Sequence, residues 1–280
     1  VIDVEIWSES GIQPPKVVTL KANSSVVQSL DSLDPGAKRI ALHIAPRSGR
    51  VNAFLVDERG RGLKSLGGDM VNASPDPSKV VVIPAIPHMK RSGKALGHTL
   101  RVIAPGDVDA RISVELISNK GSFVPFGFDE RAIKAGIVTE IPLNPELIPS
   151  TFALKITSNR PIVASVYSST YADAKSDFVW STSTAEMKEY SLAVSGLAPT
   201  LVFAGEKILI SLSILYTNKK EKKMTITGEG IATFKVPENA RTINFTKVSD
   251  KTVGGALIST QSGYGYFPLT PGSELTRVLL

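Results

Sequence analysis

Apolar residues recur at every second position through most of this chain. That period restricts the fold to sheets, because successive side chains on a strand point to opposite faces. Ile112-Ser113-Val114-Glu115-Leu116 and Phe152-Ala153-Leu154-Lys155-Ile156 alternate cleanly, as strands with one buried and one wet face do. Further strands are expected at residues 1–7, 40–44, 51–56, 99–103, 208–215 and 223–227. Turn chemistry punctuates them at Asp34-Pro35-Gly36, Pro105-Gly106-Asp107, Asn119-Lys120-Gly121, Ser158-Asn159-Arg160-Pro161 and Gly228-Glu229-Gly230. Single helical turns are expected over 31–36 and 144–149. Many short strands with turns every 8–12 residues predict an all-β chain of tandem, immunoglobulin-like β-sandwich units.

The sequence also repeats itself, and the repeat sets the domain organisation. Ile40-Ala41-Leu42-His43-Ile44 followed by Val51-Asn52-Ala53-Phe54 matches Phe152-Ala153-Leu154-Lys155-Ile156 followed by Ile162-Val163-Ala164-Ser165. A fainter third copy runs through Gly255-Ala256-Leu257-Ile258 and Tyr264-Gly265-Tyr266-Phe267. A second block, Leu100-Arg101-Val102-Ile103 with Ile112-Ser113-Val114, matches Leu201-Val202-Phe203-Ala204 with Ile210-Ser211-Leu212. Units of about 100 residues follow: a divergent or N-terminally truncated one at 1–90, then 91–190 and 191–280.

The residues around these blocks resemble a known family. Leu100-Arg101-Val102-Ile103-Ala104-Pro105-Gly106-Asp107 with Ala110-Arg111-Ile112-Ser113-Val114, then Lys134-Ala135-Gly136-Ile137-Val138-Thr139-Glu140-Ile141-Pro142-Leu143, and Ala153-Leu154-Lys155-Ile156-Thr157-Ser158-Asn159-Arg160-Pro161-Ile162-Val163-Ala164 are similar to recurring lines in large secreted actinobacterial proteins of unknown function. The likeness is best over residues 97–168. It implies an exported, envelope-associated protein, often held by an N-terminal transmembrane segment, and supplies no catalytic residues. The motif also has a reading in turn and core chemistry alone: Pro105 fixes φ, Gly106 permits positive φ, and Ile162 to Val166 fill a core.

The chain has 280 residues, 42% of them hydrophobic and 21% charged, so it can bury real cores. It has no cysteine, which removes disulfides and thiolate metal sites. No stretch approaches about 18 apolar residues, so no transmembrane helix is expected. The first residues already alternate like a strand and lack an initiating Met, which implies a signal or anchor removed from upstream. The formal charge of +6 favours anionic partners without pointing to specific nucleic-acid binding.

Chemistry-bearing patterns are scarce. His43, His88 and His98 lie at no metal-ligand spacing, so no metal or cofactor is expected. No Gly-x-Ser-x-Gly elbow occurs, so a Ser–His–Asp triad would have to be assembled in space from distant residues. Asp129-Glu130 and Glu5 with Glu9 are the carboxylate pairs to consider for glycoside hydrolysis. Gly60-Arg61-Gly62 and Gly67-Gly68-Asp69 lack the Gly-Lys-Ser/Thr and helix of a phosphate loop and read as a flexible hairpin or loop. Tyr167, Tyr171, Trp180, Tyr264, Tyr266 and Phe267 are either core aromatics or a sugar-stacking face.

Two basic clusters remain: Lys90, Arg91 and Lys94, and Lys219, Lys220, Lys222 and Lys223 at the tip of an expected hairpin. They suit contact with an anionic envelope polymer. They equally suit a guard against edge-to-edge strand pairing. The expected function is a non-catalytic, exported cell-envelope scaffold or interaction protein. Its partner would be an envelope protein or anionic polymer, with membrane anchoring through a segment outside this chain. A carbohydrate-binding or carbohydrate-active protein is the alternative. A structural subunit whose strand at residues 1–7 pairs with a neighbour is the third reading.

Overall fold

The computed structural model describes residues 1–61, 64–87, 97–143, 151–172, 175–259 and 263–270. Its described part is nearly all strand, with a single 3-10 turn at Leu30–Ser32. The expected turn at 144–149 lies outside the described residues.

A small antiparallel sheet opens the chain, with β1 (Ile2–Ser8) between β2 (Gly11–Val18) and β3 (Ile40–Pro46). Ile2, Val4 and Ile6 of β1 face one way and pack with Val18, Leu20, Leu33, Ile40 and Leu42. Both edges of β1 are taken, so it is not available to pair with a neighbouring molecule. Residues 51–54 alternate in sequence but pair with nothing regular, and the next strand starts only at Leu55. A separate hairpin follows, β4 (Leu55–Arg61) against β5 (Lys64–Val71).

The next sheet has eight strands. They are β6 (Ser78–Ile86), β7 (His98–Ile103), β8 (Ala110–Ser118), β9 (Gly121–Phe123), β10 (Arg131–Ile133), β11 (Thr139–Leu143), β12 (Phe152–Ala172) and β13 (Lys175–Thr182). Its organiser is β12, a strand of 21 residues. The first part of β12 lies between β6 and β8, and the part beyond Pro161 lies between β7 and β13. The curl between the halves is where Asn159-Arg160-Pro161 breaks the register with β6. Leu100, Ile112, Val114, Ile141, Phe152, Leu154, Ile156, Ile162 and Val166 fill the core that this curled sheet encloses. Val81, Ile83 and Ile86 belong to the same core, although β6 precedes residue 90 in the chain.

The last sheet repeats this plan with different wiring. Its strands are β14 (Tyr190–Ala193), β15 (Thr200–Tyr216), β16 (Glu221–Lys235), β17 (Ala240–Val248), β18 (Val253–Ser259) and β19 (Tyr264–Pro268). Here β15 does in one strand what β7 and β8 do in two, with an irregularity between Gly205 and Ile208 in place of the Pro105-Gly106-Asp107 turn. Strand β16 runs antiparallel along all of β15, as β12 runs along β7 and β8. It arrives directly by hairpin, whereas β12 comes after β11. The segments matched to β12 in the faint third copy, β18 and β19, form a hairpin rather than one curled strand. The chain is therefore all-β. Its sheets are curled around long strands that serve both halves, in place of the two separate sheets of an immunoglobulin sandwich.

Two further apolar clusters join the three cores. Trp7, Ile103 and Val138 pack with Ala41 and Val163 where the first sheet meets the second, and the Val138 amide donates to the Ser8 carbonyl at 3.0 Å. Ala85, Ile117, Ala153, Val179, Val202, Ala204, Ile231, Val253, Leu257 and Tyr266 form the junction between the second and third. There the Tyr266 hydroxyl donates to the Thr182 carbonyl at 2.8 Å and the Ser181 hydroxyl to the Ala85 carbonyl at 2.7 Å, while the buried Thr182 Oγ1 has no bonding partner. A Cβ added at Gly255 would stand 2.8 Å from both Ala85 and Tyr266, so only a glycine lets the surfaces meet.

Candidate functional site

Lys219, Lys220, Lys222 and Lys223 come together at one exposed place, the β15–β16 hairpin. The turn is tight: the Tyr216 amide donates to the Lys220 carbonyl at 2.9 Å, the Lys219 amide to the Tyr216 carbonyl at 3.0 Å, Lys219 sits at φ +64°, and the Asn218 side chain accepts the Lys220 amide at 3.1 Å. Lys222 and Lys223 are the second and third residues of β16, opposite Ile214 and Ser213. Along its 15 residues β16 pairs, among the described residues, only with β15, so the lysines stand at the end of a long sheet edge. The other basic cluster, Lys90, Arg91 and Lys94, lies outside the described residues.

The densest polar constellation is one that the sequence did not announce. On the β4–β5 hairpin Asp57 lies directly opposite Asp69, a like-charge pairing that sheets disfavour. Trp180 of β13 bonds both: its backbone amide donates to Asp69 Oδ2 at 2.6 Å and its indole Nε1 to Asp57 Oδ2 at 2.9 Å. Arg59 adds bonds to Asp57, the shortest at 2.9 Å, and lies 4.3 Å from the Tyr167 ring centre and 4.7 Å from that of Phe178. Arg101 of β7 stacks on the other side, 4.7 Å from the Trp180 ring, and pairs with Glu140 of β11. Gly67 makes the crossing possible. It sits at φ +112°, and a Cβ there would stand 2.7 Å from the Asp177 carboxylate and 3.1 Å from its Cα.

Burial raises the Asp69 carboxyl to about 6. The amides of Trp180 and Met70 oppose this, and the charges of Asp177 and Asp57 add to it. An open concavity of about 480 Å3 lies on the same hairpin, lined by Glu58, Arg59, Gly60, Ser65, Gly67 and Gly68. Gly60, Gly67 and Gly68 of the glycine-rich segments lie on the two strands of this hairpin, and Gly62 lies outside the described residues.

The other candidates are dispersed. Glu5 bonds the His43 ring at 2.8 Å on the exposed face of β1 and β3. Glu9 accepts the amides of Lys38 and Arg39 at 2.9 Å each, so Glu5 and Glu9 serve separate contacts. Asp129 accepts the Ser113 hydroxyl at 2.6 Å. His98 bonds Ser168 at 2.8 Å, but both are fully enclosed in the core, His98 edge-on to Phe152. His88 lies outside the described residues, as does the Tyr171 side chain. Trp180 and Tyr266 are buried, Tyr264 packs on the second junction, and Phe267 is half exposed. Among the described residues no group of three or more His, Asp or Glu side chains is close enough to hold a metal ion. No described helix is long and apolar enough to cross a membrane.

Sequence reasoning missed Asp57, Arg59, Arg101 and Glu140. The signal was faint: Asp57 and Arg59 share one face of a strand, but only the hairpin register opposes Asp57 to Asp69, and Trp180 is more than 100 residues away.

The model of a family of unknown function, DUF5719, matches residues 1–236, and the chain belongs to that family. No curated protein matches. One solved structure, titled as the crystal structure of Thermotoga maritima 1070, is similar at 14% identity and a TM-score of 0.29, covering 38% of this chain and 93% of that one.

Proposed function

We propose that this DUF5719 protein is a non-catalytic scaffold of the bacterial cell envelope, exported and contacting an anionic envelope polymer through the β15–β16 tip. The observation that carries the reading is the pair of apolar junctions. They hold three cores in a fixed relation, as a spacer or assembly platform requires. Junctions built mainly from apolar side chains resist reorientation better than the polar interfaces usual between domains. The tip presents Lys219, Lys220, Lys222 and Lys223 within five residues, a local charge that attracts phosphate-bearing polymers.

The test is co-sedimentation of the purified chain with isolated cell walls, before and after their anionic polymer is removed. The expected result is binding that falls when the polymer is stripped, when salt is raised, and when all four tip lysines are changed to Glu. Binding indifferent to all three, or absent altogether, overturns the polymer contact. Fusion of the complete gene product to a reporter active only outside the cytoplasm tests export, and an inactive reporter on a stable fusion contradicts it.

A further inference from the structure

We infer that the β4–β5 hairpin is a proton-operated clasp: it closes on β13 most firmly when the buried Asp69 carboxyl carries a proton, and loosens when Asp69 is ionised opposite Asp57. The geometry carries this. Two carboxylates stand opposite each other across a hairpin, and one tryptophan ties both of them to the sheet beneath. A protonated Asp69 still offers an oxygen to the Trp180 amide, so protonation removes repulsion without removing the bond.

The charged and titratable groups around Asp69 leave the repulsion partly uncompensated. From β4 come Asp57 and its partner Arg59, with Glu58 at the concavity. From β13 comes Asp177, whose Oδ1 accepts the Phe178 amide at 2.9 Å. From β12 comes the Tyr167 ring against Arg59. From β7 and β11 come Arg101 and Glu140, bound to each other. Burial of Asp69 and the charges of Asp177 and Asp57 all favour its protonated form.

The direction follows from linkage. Asp69 binds its proton more tightly docked, near 6, than free, near 3.8. The extra hold is therefore complete below the free value and is lost as pH rises to about 6 and beyond. Between pH 5 and 7.5 the docking equilibrium weakens about tenfold. What opening uncovers is the aromatic floor of Tyr167 and Phe178, which Arg59 now covers, with Trp180 beside Tyr167.

Hydrogen exchange of the Trp180 backbone and indole N–H groups, followed by NMR and corrected for intrinsic pH dependence, reads the hairpin directly. The Trp180 amide bonds Asp69 rather than a neighbouring strand, so its exchange needs only the hairpin to lift. The expected result is about tenfold greater protection at pH 5 than at pH 7.5 in the wild-type chain. In Asp69→Asn, which keeps an acceptor and loses the charge, protection stays high at both. Protection equal within twofold at the two pH values in the wild type, or an unchanged pH dependence in Asp69→Asn, overturns the clasp.

Discussion

At the scale of single residues, the positions that matter most are those where backbones meet without room for a side chain. Gly255 is the sharpest case, with Ala85 and Tyr266 both 2.8 Å from the place its Cβ would occupy. Gly255→Val is expected to destabilise the chain by about 1–3 kcal/mol, the usual cost of overpacking, read from urea unfolding followed by far-UV circular dichroism. Asp57→Ala is expected to cost a similar amount, about 1–3 kcal/mol, because it strips the acceptor from the Trp180 indole and leaves Arg59 without its carboxylate. By contrast, the buried Trp7 indole N–H has no bonding partner. Trp7→Phe therefore breaks no hydrogen bond, and its expected cost of about 1–2 kcal/mol is that of lost apolar bulk and the space left behind, read from urea unfolding.

The motif behind the family resemblance gains a physical meaning at this scale. The Ala104 carbonyl accepts the Gly136 amide at 2.8 Å, Asp109 accepts the Ala135 amide at 2.9 Å, and Asn159 accepts the Arg111 amide at 2.8 Å. The three matched lines are thus stitched to one another. Gly136, at φ +68°, also gives way to Ile12 of the first sheet, whose side chain would lie 3.1 Å from a Cβ there.

At the scale of elements, β16 is the strand whose chemistry invites a decision. A long strand edge that no further described strand pairs with is a template for unwanted pairing unless something blunts it. Lys222 and Lys223 charge one end, and Gly230, at φ +72° beside the Gly205–Ile208 irregularity, kinks the strand. Replacing Lys222 and Lys223 with Thr is expected to produce concentration-dependent self-association in sedimentation-velocity runs, where the wild-type chain sediments as one species. The same lysines serve the proposed polymer contact, and charge reversal separates the roles: Glu at these positions keeps the edge guarded while abolishing attraction to polyanions.

Elements also mark how far the sequence is legible. Period-two patterns found β1, β3, β7, β8 and the β15–β16 hairpin, because a half-buried strand writes its two faces into alternate residues. The same pattern misled at 51–54, where alternation exists without a partner strand to hydrogen-bond. It also split β12 in two, because Asn159-Arg160-Pro161 has the composition of a turn and acts as a curl within a continuous strand. The clasp was out of reach for a different reason. Its parts come from β4, β5, β7, β11, β12 and β13, and no local pattern records which strands lie on which.

At the scale of the whole molecule, the account rests on junctions rather than on any one site. Three cores with loose connections would sample many orientations. Three cores whose junctions bury Trp7, Ile103 and Val138 on one side, and Val202, Ile231 and Leu257 on the other, hold one. Because the chain has no cysteine, thiols for spin labels can be placed at will on exposed positions of each sheet, at Lys16, Asp107 and Glu238. Pairwise distance distributions by double electron–electron resonance then test the rigid array directly. The account predicts a single narrow distribution for each pair, with Gly255→Val broadening the Asp107–Glu238 distance and leaving Lys16–Asp107 unchanged. Broad or multiple distances in the chain carrying no other change would contradict it.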